Sequence, residues 1–428
     1  MTSAPNRQRL LNGNNLKATL FACICLIGFT AFSQDNKSDD DDDSKVVSGT
    51  LVENPYTHLD KISNASKSVY NVAFILPINT AKILPGDGKD RFASMPSETR
   101  DVLGFWEGVN IAFAKIKRMN TKYVYHIWDN AREDSSTLQI LEKLKRYNID
   151  VVVAPFHTKQ ALLVSNYCKE NKIPMILAQN PSDIPAKDNP YAFKLQIPKS
   201  RLFYDYYKKI TTDISYNNAI IYFVYDATSK TERRTANYMK YMAERDGTNR
   251  LRTIEYTGET SFGMLLDTNK NNVLMISHYK SNEVNEILDK LITVGSRRIF
   301  VFGNNLWSSN PKISLEKLEK FNTRIYTDVF LQNNPTLISE IKERYKSMTN
   351  DQVVNDVFVG YDVGMYIAHL MDKYGVKFPL SADGYKYYGA VSNIHIKPSY
   401  NPNGKILFFE NTSKFLLQAT KNGWYSVE

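Results

Sequence analysis

Short apolar runs and amphipathic stretches alternate along the first half of the chain. The apolar runs are short enough for buried strands, and they lie at 70–78, 122–129, 150–154, 174–178 and 191–197. The stretches between them repeat apolar residues at helical spacing, and they lie at 98–119, 136–148 and between 154 and 174. Strands that alternate with helices in this way predict a parallel sheet with helices on both faces.

The second half of the chain repeats this pattern. Its predicted strands are 218–226, 250–256, 271–277 and 297–303, and its predicted helices are 229–245 and 281–295. Two further helices, 334–348 and 357–375, precede short terminal strands at 389–396, 404–410 and 413–420. Because 428 residues are more than one hydrophobic core usually fills, the pattern predicts two similar α/β lobes.

The N-terminus has the features of an export signal. Basic residues precede the apolar run 18–32, which has about the length of a secretory signal and is too short to span a bilayer comfortably. We predict a signal peptide over 1–33, cleaved before Gln34, and a periplasmic mature chain without a transmembrane segment. A lipid anchor on Cys23 is a less favoured alternative. Residues 34–68 are polar and aperiodic, and with the aspartate run 39–43 they predict an acidic disordered linker.

Composition and motifs argue against several classes of function. Hydrophobic residues at 43% and charged residues at 23% are typical of a globular protein, and the net charge of +9 is spread along the chain, which does not favour nucleic-acid binding. The chain has none of the common hydrolase, metalloprotease, redox or phosphate-loop motifs, and its six histidines are scattered. We therefore expect no enzyme activity, no metal and no cofactor. Cys168 is the one cysteine left after signal removal, and its apolar neighbours favour a buried thiol over a nucleophile.

Seven blocks in order resemble the type I periplasmic-binding fold, the family of leucine/isoleucine/valine-binding proteins and receptor ligand-binding regions. The resemblance covers about 69–428. It implies that the chain is an exported member of the Bacteroidetes type. The blocks are VAFILPI, FWEGVNIAFAKIK, VVVAPFHTKQALLVSNYCKENKIPMILAQN, NPYAFKLQIPKS, NAIIYFVYD, ERYKSMTNDQVVNDVFVGYDVGMYIAHLMDKYG and GAVSNIHIKPSYNPNGKILFFE. In the sixth block, the triplet Gly360-Tyr361-Asp362 is typical of the family.

The resemblance implies a fold and domain bounds. It implies an α/β protein with two Rossmann-like lobes, each with a parallel sheet and helices on both faces, joined by a multi-crossing hinge. Lobe one would comprise 69–196 and about 329–376. Lobe two would comprise 197–328 and about 377–428.

Ligands of such folds bind outside the carboxyl ends of the strands. This rule selects candidate contacts in both lobes: Asn79, His157, Thr158, Ala178, Gln179, Asn180, Tyr225, Asp226, His278, Tyr279 and Asn304. By resemblance, Thr158 and the helix that begins near His157 would meet a carboxylate, and Asp226 would meet an ammonium group. Where the family commonly has a Ser-x-Thr run, this chain has the run QNPS at 179–182.

Structural roles compete with these assignments. Asn180 precedes a proline and suits a turn, and His157 could be a solvated loop histidine. His278 and Tyr279 could cap the next helix, whereas Tyr225 and Trp106 are better explained by packing. Trp307 follows a lobe-two strand, where an aromatic ring could cover a ligand.

Two functions follow from different classes of protein. The favoured one is a solute-binding protein that closes its lobes on a small polar ligand, amino-acid-like or a short peptide, and presents it to a transporter or sensor. The alternative is a cell-envelope interaction protein with a degenerate cleft, which would act in peptidoglycan assembly or an outer-membrane complex. The altered QNPS run, the acidic leader and the many tyrosines favour the alternative.

Overall fold

The computed structural model describes residues 54–61, 66–84, 95–116, 122–154, 156–248, 250–295 and 298–427. The predicted signal peptide, Cys23 and the aspartate run lie outside these residues. Of the predicted linker, 54–61 and 66–68 are described, and Tyr56 and Leu59 belong to a folded core. Tyr56 is buried, and its ring meets Tyr191 edge-on with 5.5 Å between centroids. An aromatic pair in a core holds this segment on the first unit, so the linker is shorter at its end than the sequence suggested.

Strands and helices alternate through most of the chain. The strands are β1 Val69–Leu76, β2 Lys122–Asp129, β3 Val151–Val153, β4 Met175–Leu177, β5 Ala192–Lys194, β6 Ile220–Tyr225, β7 Leu251–Glu255, β8 Asn272–Ile276, β9 Ile299–Phe302, β10 Arg324–Thr327, β11 Lys386–Tyr388, β12 Asn393–Tyr400, β13 Ile406–Asn411, β14 Phe415–Thr420 and β15 Gly423–Ser426. The helices are α1 Thr57–Asp60, α2 Thr80–Ile83, α3 Ser97–Ile116, α4 Asp134–Leu144, α5 Thr158–Asn171, α6 Lys199–Thr212, α7 Lys230–Arg245, α8 Phe262–Leu265, α9 Ser281–Thr293, α10 Leu315–Lys320, α11 Pro335–Thr349 and α12 Asn355–Tyr374.

The first unit comprises the described residues up to 195 with 334–390 and 394–411. Its described strands form one sheet in the order β11-β12-β13-β5-β4-β3-β1-β2, and β5, β4, β3, β1 and β2 run parallel. Val72, Phe74 and Leu76 belong to one apolar cluster, whereas Ala73 and Ile75 belong to another. Because side chains alternate across a strand, the two clusters lie on opposite faces of the sheet, as expected when helices cover both.

The strand order of the first unit reverses at β1. Chain order leads from β1 outward to β2 on one side, and to β3, β4 and β5 on the other. In open α/β sheets ligands bind outside the carboxyl ends of the strands at such a reversal. The loops after β1 and β3, which carry Asn79 and His157, therefore lie at the position where this fold binds ligands.

The terminal hairpin belongs to the first unit, which corrects the predicted assignment of 377–428 to lobe two. Strands β12 and β13 pair antiparallel, and β13 continues the first sheet by pairing parallel with β5, where Phe409 lies opposite Phe193. The two rings stack with 4.8 Å between centroids. Of the predicted segment, only 391–393 and 412–428 lie in the second unit.

The second unit comprises 196–333, 391–393 and 412–428. Among its described residues the strand order is β15-β14-β10-β9-β8-β6-β7. Strands β10, β9, β8, β6 and β7 run parallel, and β14 and β15 add an antiparallel edge. Here the strand order reverses between β6 and β8. The predicted α/β class with two lobes is confirmed, with the refinement that each sheet is mixed at one edge.

Helices α3 and α12 of the first unit approach at backbone distance. A Cβ atom on Gly108 would lie 1.9 Å from the carbonyl oxygen of Val357, and one on Gly360 would lie 1.9 Å from that of Phe105. Neither distance is compatible with a side chain, so glycine is required at both positions. The Gly-Tyr-Asp triplet thus has a packing role.

Candidate functional site

Asp129, at the end of β2, fixes the loop that follows β1. Its Oδ1 accepts a hydrogen bond from the backbone N–H of Asn79 at 3.0 Å, and its Oδ2 accepts from the N–H and the hydroxyl of Thr80, each at 2.8 Å. Asn79 is buried in the left-handed conformation, and its side-chain N–H donates to the carbonyl of Pro77 at 3.2 Å. The predicted contact Asn79 therefore shapes its own loop.

Three charged or ionisable side chains meet at the carboxyl edge of the first sheet. Arg132 Nη1 donates to Glu98 Oε2 at 2.7 Å, and Arg132 Nε donates to His157 Nε2 at 2.8 Å. All three side chains are partly exposed. Of the three, His157 alone was predicted. Glu98 lies in the first turn of α3 and Arg132 follows β2, so no local motif links them to His157.

Burial and two charged neighbours determine the pKa of His157. Burial, and then the neighbouring Arg132 charge, lower the pKa of His157, while Glu98 opposes the shift. Nε2 accepts from Arg132 and also lies 3.2 Å from Glu98 Oε1; in the neutral tautomer that accepts from arginine, the ring proton resides on Nδ1. Within the described part of the chain, Nδ1 is buried and has no hydrogen-bond partner. In that tautomer, the Nδ1–H of His157 is a free donor for a ligand oxygen, next to the guanidinium of Arg132.

The loop after β4 contributes one accessible amide and one structural amide. Asn180 is buried, its Nδ2 donates to the carbonyl of Phe156 at 3.1 Å, and its Oδ1 accepts from the N–H of Ser182 at 3.0 Å. Asn180 therefore ties two loops together. Gln179 instead reaches α12, where its Nε2 donates to Asp356 Oδ1 at 2.6 Å. Ala178 is buried in the core, and the partly exposed Thr158 begins α5.

Asp356 is an unpredicted member of this edge. Burial raises the pKa of Asp356, the neighbouring Asp101 raises it further, and the hydrogen bond from Gln179 lowers it. Burial also raises the pKa of Asp101. A carboxylate held this way gains by meeting a cation, since a positive charge would offset its desolvation.

We expect Asp356→Asn to raise the thermal stability of the unliganded protein at pH 7.5 by about 2 °C, roughly what 1 kcal/mol gives at this size. The isosteric amide keeps the oxygen that accepts from Gln179 and removes a desolvated charge. The folded-state pKa is raised above the unfolded value, so the penalty is complete at neutral pH and disappears as the folded carboxyl takes a proton. Melting curves should show a smaller difference in melting temperature between the variant and wild type at pH 4.5 than at pH 7.5. A less stable variant at pH 7.5 would contradict this.

In the second unit, the loop after β6 is also held by hydrogen bonds among the protein's own residues. Asp226 Oδ1 accepts from the N–H and the hydroxyl of Thr228 at 2.8 and 2.6 Å. The hydroxyl bond is the main reason why the pKa of Asp226 lies below its usual range. Glu232 on α7 accepts from the backbone N–H of Asp226 at 3.0 Å and from the hydroxyl of Ser277. Glu232 thereby links the loops after β6 and β8.

Two neighbouring residues of the loop after β8 differ in their exposure to solvent. His278 is buried, with its Nδ1 3.2 Å from Glu283 Oε2 and its ring edge-on to Tyr256. Tyr279 is 43% exposed, and the ammonium of Lys199 lies 4.9 Å from its ring centroid. Of these two predicted contacts, only Tyr279 is accessible to a ligand.

Asn304 and Trp307 are buried residues that support the carboxyl edge of the second sheet. Asn304 is fully buried, its Nδ2 donates to the carbonyl of Ser277 at 2.6 Å, and its Oδ1 accepts from the N–H of Leu306 at 3.0 Å. Trp307 is 1% exposed, and its Nε1 donates to the carbonyl of His278 at 2.7 Å. Both residues support the loop after β8, so Trp307 does not cover a ligand.

Three further observations limit the chemistry of the described residues. They contain no group of three or more histidine, cysteine or acidic side chains that could hold a metal ion. Within the same ranges, the search for a helix with the length and apolarity to cross a membrane finds none. Cys168 is fully buried in the first unit, where burial raises the pKa of its thiol, as expected for an unreactive cysteine.

A family model described as the receptor family ligand binding region matches residues 107–377. The matched segment spans more than half of the chain. A comparison with curated proteins finds no match.

Solved structures with this fold are numerous and distant in sequence. A putative branched-chain amino acid ABC transporter protein from Rhodospirillum rubrum is 10% identical with a TM-score of 0.61, over 84% of this chain and 100% of that one. An ABC transporter substrate-binding protein from Desulfitobacterium hafniense, in complex with Leu, is 13% identical with a TM-score of 0.51, over 84% and 100%. A branched-chain amino acid ABC transporter periplasmic ligand-binding protein from Burkholderia xenovorans is 12% identical with a TM-score of 0.55, over 84% and 94%. These likenesses establish the type I periplasmic-binding fold.

Proposed function

Because the chain belongs to the receptor family ligand binding region, we propose that it is a non-enzymatic binding protein for a small polar solute. The observation that carries the proposal is the group of side chains at the strand-order reversal of the first unit. There, Arg132 lies beside His157, whose Nδ1 has no hydrogen-bond partner among the described residues, and at the loop after the neighbouring strand β4 Gln179 holds the partly buried Asp356. In this fold ligands bind at the carboxyl edge of the sheet, and a polar solute there could bond to the side chains that lack partners of their own.

The chemistry of this edge suits an amino-acid-like solute or a short peptide. Arg132 and the Nδ1–H of His157 offer donors to a carboxylate, as does the partly exposed hydroxyl of Thr158. Asp356 offers a carboxylate to an ammonium group. Gln179 takes the place where the family resemblance implies a serine or threonine, and it acts by positioning Asp356.

Localisation and partners follow from the same proposal. One neighbour in structure is named as periplasmic, and several are named for ABC transporters. We propose that this chain is likewise exported to the periplasm and delivers its solute to a transporter or sensor. Closure of the two lobes on the solute, as the family resemblance implies, stays a prediction.

One observation favours the alternative of an envelope interaction protein. The side-chain amides of Asn180 and Asn304 donate to backbone carbonyls of neighbouring loops, and Asp226 binds its own turn. Three expected ligand contacts are therefore engaged elsewhere. A protein that has lost its solute would keep such loops and bind a partner in peptidoglycan assembly or an outer-membrane complex instead.

A thermal-shift screen of the chain from Gln34 onward separates the two functions. The panel comprises amino acids, di- and tripeptides, muropeptides and sugars. A solute at 100 times its dissociation constant adds about 2.7 kcal/mol, which raises the melting temperature by roughly 2 °C or more at this size. We expect at least one amino-acid-like compound or peptide to do so. A folded protein that responds to no compound would overturn the proposal and favour the envelope partner.

A further inference from the structure

Lys199 stands apart among the charged residues at the carboxyl edge of the second unit. It is the first residue of α6, and its ammonium lies 4.9 Å from the ring centroid of Tyr279. Within the described part of the chain, it makes no ion pair. Burial lowers the pKa of Lys199, and Glu232 only partly opposes the shift. A desolvated ammonium without a carboxylate partner is costly, and protein folds usually avoid it.

Other cationic side chains of the same unit have carboxylate partners. Three of them lie over a tyrosine ring as Lys199 does, and each also has a carboxylate within 4 Å. The pairs are Lys290 with Glu286, Arg245 with Asp246, and Lys414 with Asp205. Lys290 is the nearest match, since its ammonium lies 5.1 Å from the ring of Tyr256 and 3.2 Å from Glu286. Lys199 has the tyrosine ring without the carboxylate.

Glu232 acts on the charge of Lys199, and both Glu232 and the acidic groups of the neighbouring loops are engaged with other donors. Glu232 accepts from the N–H of Asp226 and from Ser277 through the same oxygen, and it joins two loops. The Asp226 carboxylate binds Thr228, and Glu283 pairs with Lys280 at 2.9 Å. The described surroundings of Lys199 thus supply an aromatic face, and none of the described residues accepts a hydrogen bond from its ammonium.

We propose that Lys199 is a carboxylate-binding residue at the carboxyl edge of the second unit, with Tyr279 as the aromatic wall of that subsite. This inference rests on the proposed solute-binding function and adds a preference for carboxylates that the second unit itself supplies. Tyr279 is exposed enough to contact such a solute, and its ring holds the ammonium in place by a cation–π contact. A charge-assisted bond from ammonium to carboxylate is stronger than one to an amide, which is the basis of the selectivity.

Matched acid and amide compounds test this subsite. The probes are glutamate with glutamine, succinate with succinamide, and N-acetylalanine with its amide, measured by calorimetric titration. The wild-type chain should bind at least one acid at least 10-fold more tightly than its amide. Lys199→Met should remove that preference, and Lys199→Arg should retain part of it. Lys290→Met is the control, because Lys290 is a paired lysine over a tyrosine ring, and it should leave the preference unchanged.

Melting of the unliganded variants gives a second measurement that needs no ligand. A lysine kept for a ligand contributes little to the fold, so Lys199→Met should keep or raise the melting temperature. A fall of several degrees would assign Lys199 to the fold and overturn the inference. Acids and amides that bind wild type equally would overturn the inference while the solute-binding function stands. A folded wild-type chain that binds no solute of this or the wider panel would overturn both.

Discussion

Gly108→Ala is expected to destabilise the first unit by about 3 kcal/mol or more, although alanine is the better helix former. The new methyl group would lie 1.9 Å from the carbonyl oxygen of Val357 and 2.7 Å from the backbone nitrogen of Tyr361. Backbone atoms of a helix cannot rotate away as a flexible side chain can. Helices α3 and α12 must therefore separate along their length, which loosens the cluster beneath the ligand edge. Urea denaturation followed by far-UV circular dichroism measures the loss.

Gly384→Ala is the matched control, because a Cβ atom there meets nothing within 4 Å. It should change the free energy of unfolding by no more than about 0.5 kcal/mol. Gly360→Ala places its methyl group 1.9 Å from the carbonyl oxygen of Phe105 in the same interface. The double variant should lose less than the sum of the singles, since the first substitution already separates the helices. A Gly108→Ala protein as stable as wild type would contradict this helix packing.

Trp307→Ala is expected to destabilise the second unit by about 3–5 kcal/mol, the usual cost of deleting a buried tryptophan ring. The ring packs directly over Gly303, where a Cβ atom would lie 2.2 Å from it. Its N–H also holds the carbonyl of His278, one residue before Tyr279. The substitution therefore opens a cavity and releases the loop after β8. Solute affinity should fall along with stability, if Tyr279 lines the site.

Trp307→Phe separates these two contributions. Phenylalanine fills most of the volume and removes the N–H. It should lower the free energy of unfolding by about 1–3 kcal/mol, because the carbonyl of His278 loses its donor and a small void remains. Thermal melting by circular dichroism compares the two variants. Equal stability of Trp307→Ala and Trp307→Phe would show that the ring is not packed as described.

Local periodicity predicted most of the fold because the strands of both sheets are buried and strongly apolar. The pattern placed β2 at its observed bounds and most other strands within two residues. It missed α6, whose apolar face consists largely of tyrosine and phenylalanine, and β10, which is only four residues long. It also misassigned the hairpin of β12 and β13. Which sheet a hairpin joins depends on a distant partner, here β5, and no local pattern encodes that contact.

The rule on carboxyl ends of strands selected loops, and whether they bind a ligand stays a prediction. The roles of single residues in these loops are harder to predict, because a polar side chain in a tight loop can face a ligand or bond to its own backbone. Asn180 and Asn304 serve their own turns, as short amide side chains often do. Glu98, Arg132, Asp356 and Lys199 were missed because they come from helix starts and a turn far apart in sequence. Only the folded chain shows that Arg132 meets His157, or that Asp356 meets Gln179.

Calorimetric titration of the strongest compound from the thermal-shift panel tests the central claim most directly. We predict one binding site per chain, with affinity reduced at least 10-fold by Arg132→Met and by Gln179→Ala. Arg245→Met, which removes a cation paired with Asp246 on α7, should leave the affinity unchanged. Titrations in which all three variants bind like wild type, or in which no compound binds the folded protein, would contradict a solute site at this edge.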